Sequence, residues 1–202
     1  MSKVLIFKSM SLDGFIAGPD DEIGPLHDWL FSTRPAGKGS WEEAEGKTER
    51  FFAPEGVNKD ILMEGMAVEG ATVVGRRTYD VADGWGGKPP GLGPYFVMTH
   101  NPPPADDVSS AFTFVTDGIE SAVGQARAAS KSGQIDLMGA NVIQQGLRAG
   151  IVDEIVVQII PVLLGQGIRL FNQLGPEHIN LNRTRVEAGP SGVTHLFYDV
   201  MR

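Results

Sequence analysis

The sequence predicts an α/β domain built on a mixed sheet, parallel in its body and antiparallel at its C-terminal edge. Three observations carry this. Apolar strand-like runs alternate with helix-like runs along most of the 202 residues, the pattern of a central sheet covered by helices on both faces. Two strand-glycine-helix junctions punctuate the alternation, Ala71-Thr72-Val73-Val74-Gly75-Arg76-Arg77-Thr78 and Ile135-Asp136-Leu137-Met138-Gly139-Ala140-Asn141-Val142-Ile143. The tail carries two strand patterns around Gly189-Pro190-Ser191-Gly192 with no helix between them, a hairpin signal.

Taken in order, residues 4–10 are apolar on both faces apart from Lys8 and mark a central strand. A turn at Ser11-Leu12-Asp13-Gly14 leads into a short strand at 15–17, and Gly18-Pro19-Asp20-Asp21 breaks the chain again. Residues 32–58, rich in Gly, Pro, Lys and Glu, read as a loop insertion with a short helix at 41–52. Residues 60–69 have helical spacing (Ile61, Leu62, Met66), and 72–74 is the strand feeding Gly75. Strands follow at 95–99 and 112–115, separated by the rigid Asn101-Pro102-Pro103-Pro104. Helices are expected at 119–130 and 141–148, and strands at 155–163, 180–187 and 193–201. The whole, 1–202, reads as one domain.

Composition narrows the function. A formal net charge of −8 opposes general binding to nucleic acid or an anionic membrane, so the expected partner is a small molecule. Cysteine is absent, which removes disulfides, thiolate metal sites and cysteine nucleophiles. His27, His100, His178 and His195 are scattered without HExxH spacing, so no metal is expected. The apolar stretch at 3–10 is too short for a signal peptide or membrane span, and a cytoplasmic location is expected.

Several motifs fail. Gly46-Lys47-Thr48 resembles the end of a P-loop, but the position five residues before Gly46 is Trp41. Gly165-Gln166-Gly167 has Leu170 where a dinucleotide fingerprint needs glycine, and reads as a turn. No GxSxG elbow occurs. The two glycine junctions remain. In each, the unpaired N–H groups of the following helix would form an anion site, and Arg76 and Arg77 make the first the more cationic. Two such sites fit a dinucleotide.

Six motifs occur in order: Ser11-Leu12-Asp13-Gly14-Phe15-Ile16-Ala17, Gly75-Arg76-Arg77-Thr78-Tyr79, Met98-Thr99-His100-Asn101, Gly139-Ala140, Gly150-Ile151-Val152-Asp153-Glu154 and Pro161-Val162-Leu163-Leu164-Gly165-Gln166-Gly167. Together they resemble the dihydrofolate-reductase-like superfamily, specifically stand-alone relatives of the C-terminal reductase domain of the bifunctional riboflavin-biosynthesis deaminase/reductase.

The resemblance implies a three-layer αβα dihydrofolate-reductase-like fold with an eight-stranded mixed sheet, a homodimer and NADPH as cofactor. Carried over by position, Gly75, Arg76, Arg77 and Thr78 hold phosphates, with Thr99, His100 and Asn101 beside the adenosine ribose and its 2′-phosphate. Leu137, Gly139, Ala140, Asn141 and Val142 cradle the pyrophosphate, and Ser9 and Ala17 line the nicotinamide. The Pro-Trp and acidic-helix motif that anchors pterin in true dihydrofolate reductases is not matched, and Asp60 falls nearest to that acid. The implied activity is hydride transfer to a C=N or C=O carbon of a small heterocyclic or ribityl-type substrate, of the riboflavin-precursor or pterin class. Asp60, Asp28 or water would supply the proton, and Gln158, the one polar side chain in its strand, a substrate hydrogen bond. A true dihydrofolate reductase and a non-catalytic nucleotide-binding protein are the alternatives.

Overall fold

A computed structural model describes residues 2–35, 48–66, 70–91, 93–104 and 109–201. The apolar first run forms β1 (Lys3–Ser11), and β2 (Phe15–Ala17) follows the Asp13-Gly14 turn. A 3-10 segment (Gly24–Leu30) then leads to β3 (Phe31–Pro35), which pairs antiparallel with β4 (Thr48–Phe52). This corrects the expected helix at 41–52. Aromatic Phe52 packs edge-on against Phe31 across the ladder, and such cross-strand pairs favour strands. Residues 41–47 of that expectation lie outside the described residues.

Next come α1 (Gly56–Met66), β5 (Ala71–Gly75), α2 (Arg76–Val81), β6 (Tyr95–Met98) and β7 (Phe112–Val115). The chain continues through α3 (Ile119–Ala129), β8 (Gln134–Met138), α4 (Ala140–Arg148) and β9 (Glu154–Ile160), which stops before Pro161 rather than running on through the expected 155–163, since proline cannot donate to the ladder. The short β10 (Ile168–Arg169) and the hairpin β11 (Leu181–Ala188) and β12 (Thr194–Val200) close it.

The described residues form an eight-stranded sheet in the order β11-β12-β9-β1-β8-β5-β6-β7. Strand β1 sits between β8 and β9, parallel to both, and β5, β6 and β7 extend the parallel body. The hairpin adds two antiparallel strands on β9, so the fold is the αβα architecture expected. A second small sheet pairs β10 with β2, a contact with no signal in the sequence.

Periodicity explains the layers. Ile119, Ala122, Val123 and Ala126 recur at helical spacing on α3 and, with Val142, Ile143 and Leu147 of α4, bury against Val4, Ile6, Val73, Ile135 and Leu137. The other face carries Leu26 and Trp29 of the 3-10 segment and Leu62 of α1, packed on Phe7 and Ile160. Each fully buried aliphatic side chain contributes about 1.5–3 kcal/mol, so the α3/α4 face holds most of the apolar stabilisation.

Candidate functional site

The parallel strands β5, β6, β7 and β8 end along one side of the sheet, and a cleft of about 850 Å³ opens there, where ligands bind in open α/β sheets. Its walls include Gly75, Arg76, Arg77 and Thr78 after β5, Thr99, His100 and Asn101 after β6, and Gly139, Ala140, Asn141 and Val142 after β8, with Ala17 opposite. Two junctions 64 positions apart in sequence thereby face one cavity.

The two glycines work differently. Gly139 has φ +98°, and a Cβ there would lie 2.7 Å from the Thr78 hydroxyl. Gly75 has an ordinary φ of −76°, and its Cβ would approach Val142 to 3.3 Å. Backbone conformation requires the first glycine and close packing favours the second. No side chain caps the N-terminus of α4, so its unpaired N–H groups remain available to an anion.

The arginines already have partners. Arg76 donates to both Asp80 oxygens at 2.7 and 3.0 Å and to the Asn101 carbonyl at 2.6 Å. Arg77 donates to both oxygens of Asp21 at 2.8 and 3.0 Å. Asp21 lines the cleft too. It stands in a turn that the sequence marked only as a chain break.

Asp13 anchors the opposite wall. The Ser11 hydroxyl donates to it at 2.6 Å, and the N–H groups of Leu164 and Gly165 donate at 3.1 and 2.7 Å. These bonds, Ser11 foremost, hold its carboxyl at a pKa of about 2. Arg169 donates to the Asp13 carbonyl and lies over the Phe15 ring, which fixes the β2–β10 pair and so places Ala17.

Four of the expected site residues lie elsewhere. Leu137 is in the core against α4, because alternate residues of β8 face opposite sides. Ser9 is turned to the α1 face, where its hydroxyl accepts the Trp29 indole N–H at 2.9 Å. Gln158 pairs in register with Ser9 and His195 on that face and is 0% exposed. It lines neither this cleft nor the second cavity described next, and among the described residues its amide has no hydrogen-bond partner. Asp60 is exposed in the second turn of α1 and lines neither space, so the proton role expected of it loses its geometry; nor is it at the helix start.

The residue missed is Lys8. It borders the cleft and also a cavity of about 210 Å³ beneath α1. Burial lowers its pKa. The available signal was the single charge within residues 4–10. Among the described residues no helix is long and apolar enough to cross a membrane, and no three His, Asp or Glu side chains gather as a metal site.

The αβα sheet with its C-terminal antiparallel edge is the fold of RibD-like reductases. Residues 128–195 match the family model described as the RibD C-terminal domain. Protein YwjB of Bacillus subtilis (strain 168) is 25% identical over 183 residues, covering 87% of this chain and 86% of that one. A Shewanella sp. PV-4 protein assigned to riboflavin biosynthesis shares the fold at TM-score 0.70 and 23% identity, with 100% of both chains covered. A pyrimidine reductase-like protein from Corynebacterium diphtheriae does so at TM-score 0.63 and 14% identity, over 100% of this chain and 92% of that one. The resemblance read from the six motifs is thus borne out.

Proposed function

We propose that the protein is an NADPH-dependent reductase that passes hydride to a C=N or C=O carbon of a small heterocyclic or ribityl-type substrate, of the riboflavin-precursor or pterin class. One observation carries the reading: both glycine junctions and the Thr99-His100-Asn101 turn converge on one cleft of about 850 Å³. The RibD C-terminal match supports it.

The residues present fit the cofactor. Gly139 leaves backbone room that a Cβ would fill, and α4 offers uncapped N–H groups for a pyrophosphate. Arg77 and His100 line the cleft and would meet a 2′-phosphate, and Ala17, also in its wall, is a small residue that would admit close approach of a ring. Bound NADPH would supply the hydride. The chain's part is to orient the two reactants, exclude water and present Lys8, which lines the cleft, to hold or protonate the substrate.

We also propose a cytoplasmic homodimer. Edge strand β11 leaves Leu181 and Val186 43% and 45% exposed, with charged neighbours on either side of Val186, and its unpaired outer edge offers a second copy a place to add. The test of the main reading is a titration of NADPH and NADH, followed by NADPH oxidation with pyrimidine, pterin and flavin-precursor compounds. Tight NADPH binding with turnover of one compound supports it. Binding without oxidation of any compound would favour a nucleotide-binding protein, and no binding would remove the reading.

A further inference from the structure

Leu5, Asp136, Thr72 and Tyr95 are direct register partners across four adjacent strands, β1, β8, β5 and β6. They form one row on the α1 face, and Phe7 and Leu62 complete a cavity of about 210 Å³ above it. Strand spacing of ~4.8 Å makes such a row a flat floor about 14 Å long. A carboxylate stands in the middle of this largely apolar space.

We propose that this cavity is a binding site for a small, flat aromatic cation of the amidine type, received by Asp136. The site is separate from the nucleotide cleft and does not depend on the reading above. Asp136 has only a marginal contact, 3.5 Å from the Gln134 amide. Among the described residues no cation forms a salt bridge with it. Desolvation pushes its pKa up to about 6. A buried carboxylate lacking a counter-charge is stabilised by a ligand that brings one. An amidinium presents two parallel N–H donors, the fork that matches both oxygens of a carboxylate. The apolar walls suit the faces of the attached ring. Lys8 on β1 and Tyr95 on β6 are the other titratable groups lining the cavity, whereas α1 contributes Leu62 and Gly65. Burial is what moves Lys8, and it makes no ion pair with Asp136. The Tyr95 hydroxyl donates to the Pro90 carbonyl instead.

Benzamidine, a cation throughout the range used, is the probe, with neutral benzamide as its control. Calorimetric titration should show benzamidine binding about tenfold tighter at pH 7 than at pH 5, as the receptor carboxyl ionises, and benzamide binding at least tenfold weaker at pH 7. Asp136→Asn should cost tenfold or more and abolish the pH dependence. Gly65→Leu should also remove binding by filling the cavity, while leaving Asp136 intact and favouring the helix. Circular dichroism confirms that each variant is folded. Equal affinity for benzamide, unchanged affinity in either folded variant, or no benzamidine binding in the unaltered protein overturns the proposal.

Discussion

Arg77 and Asp21 hold each other across the rim of the cleft, with the guanidinium Nε 2.8 and 3.0 Å from the two carboxylate oxygens. The contact joins α2 to the turn after β2. Asp21 adopts φ +64°, a left-handed conformation that costs a non-glycine residue energy, although Asp tolerates it better than most. The carboxylate occupies the arginine that a cofactor phosphate would need. Asp21→Asn should therefore tighten NADPH binding roughly three- to tenfold, and Arg77→Ala should weaken it about tenfold or more, since charge-assisted bonds to phosphate are strong. NADH, lacking the 2′-phosphate, should respond less. Fluorescence titration of both nucleotides on both variants checks this, and equal responses of the two nucleotides count against it.

Lys8 is expected to separate binding from chemistry. Its removal as Lys8→Met keeps the aliphatic volume and deletes the amine. NADPH affinity should remain within about twofold, while turnover falls by ~10²-fold or more, the usual effect of losing a group that handles a proton. Single-turnover hydride transfer measured with the substrate found in the oxidation screen reads this. A normal rate would move the search to an ordered water.

Gly139→Ala combines two penalties, a left-handed φ and a Cβ 2.7 Å from the Thr78 hydroxyl. A loss of roughly 1–3 kcal/mol in stability is expected, together with weakened NADPH binding. Adding Thr78→Ala should recover only the steric part. Urea unfolding of the single and double variants resolves the two contributions, and a single variant as stable as the parent would refute the requirement for glycine.

Two buried groups give opposite pH signatures. Asp136 titrates near 6 when folded, against 3.8 unfolded. The fold therefore loses stability as pH rises through that window, and Asp136→Asn should stabilise by roughly 2 kcal/mol at pH 7.5 and by nothing at pH 3. His195 is 0% exposed, donates from Nε2 to Asn58 Oδ1 at 2.8 Å and has its pKa lowered by desolvation. Stability from its neutral form is complete above the unfolded value of ~6.5 and declines as pH falls below it. Thermal melts from pH 3 to 8 on the parent, Asp136→Asn and His195→Gln should separate the two.

The exposed apolar residues of β11 make the assembly testable. Light scattering at micromolar concentration should give a dimer, and Val186→Glu should shift it to monomer without unfolding. A monomeric parent protein would end the idea.

Much of this was legible in the residues. The sheet's parallel body followed from apolar runs that only a strand covered on both faces can bury, as with β1 and β5, and the cleft followed from glycines placed between strand and helix. Twelve cofactor positions read from the motifs line one space because a motif at a strand end is placed by the sheet itself. What escaped was set by packing between distant segments. Ser9, Gln158 and His195 share a row that no local pattern reveals, and Trp29 reaches that row from a 3-10 segment without periodicity. Asp60 was assigned by distance along the chain across an insertion, where spacing carries no register. Asp136 looked like part of a phosphate junction, yet strand alternation turned its carboxyl into an apolar cavity on the other face.

The position of β1 has a consequence for how the chain is made. Residues 3–11 form the strand between β8 and β9, so this segment gains its neighbours only once residues 134–160 exist. A nascent chain leaving the ribosome carries this apolar stretch through most of translation with neither flank paired, which exposes a sticky strand to other chains and to chaperones. Completion of the sheet is thereby a late event, and production at lower temperature or with slower synthesis should change the yield of folded protein.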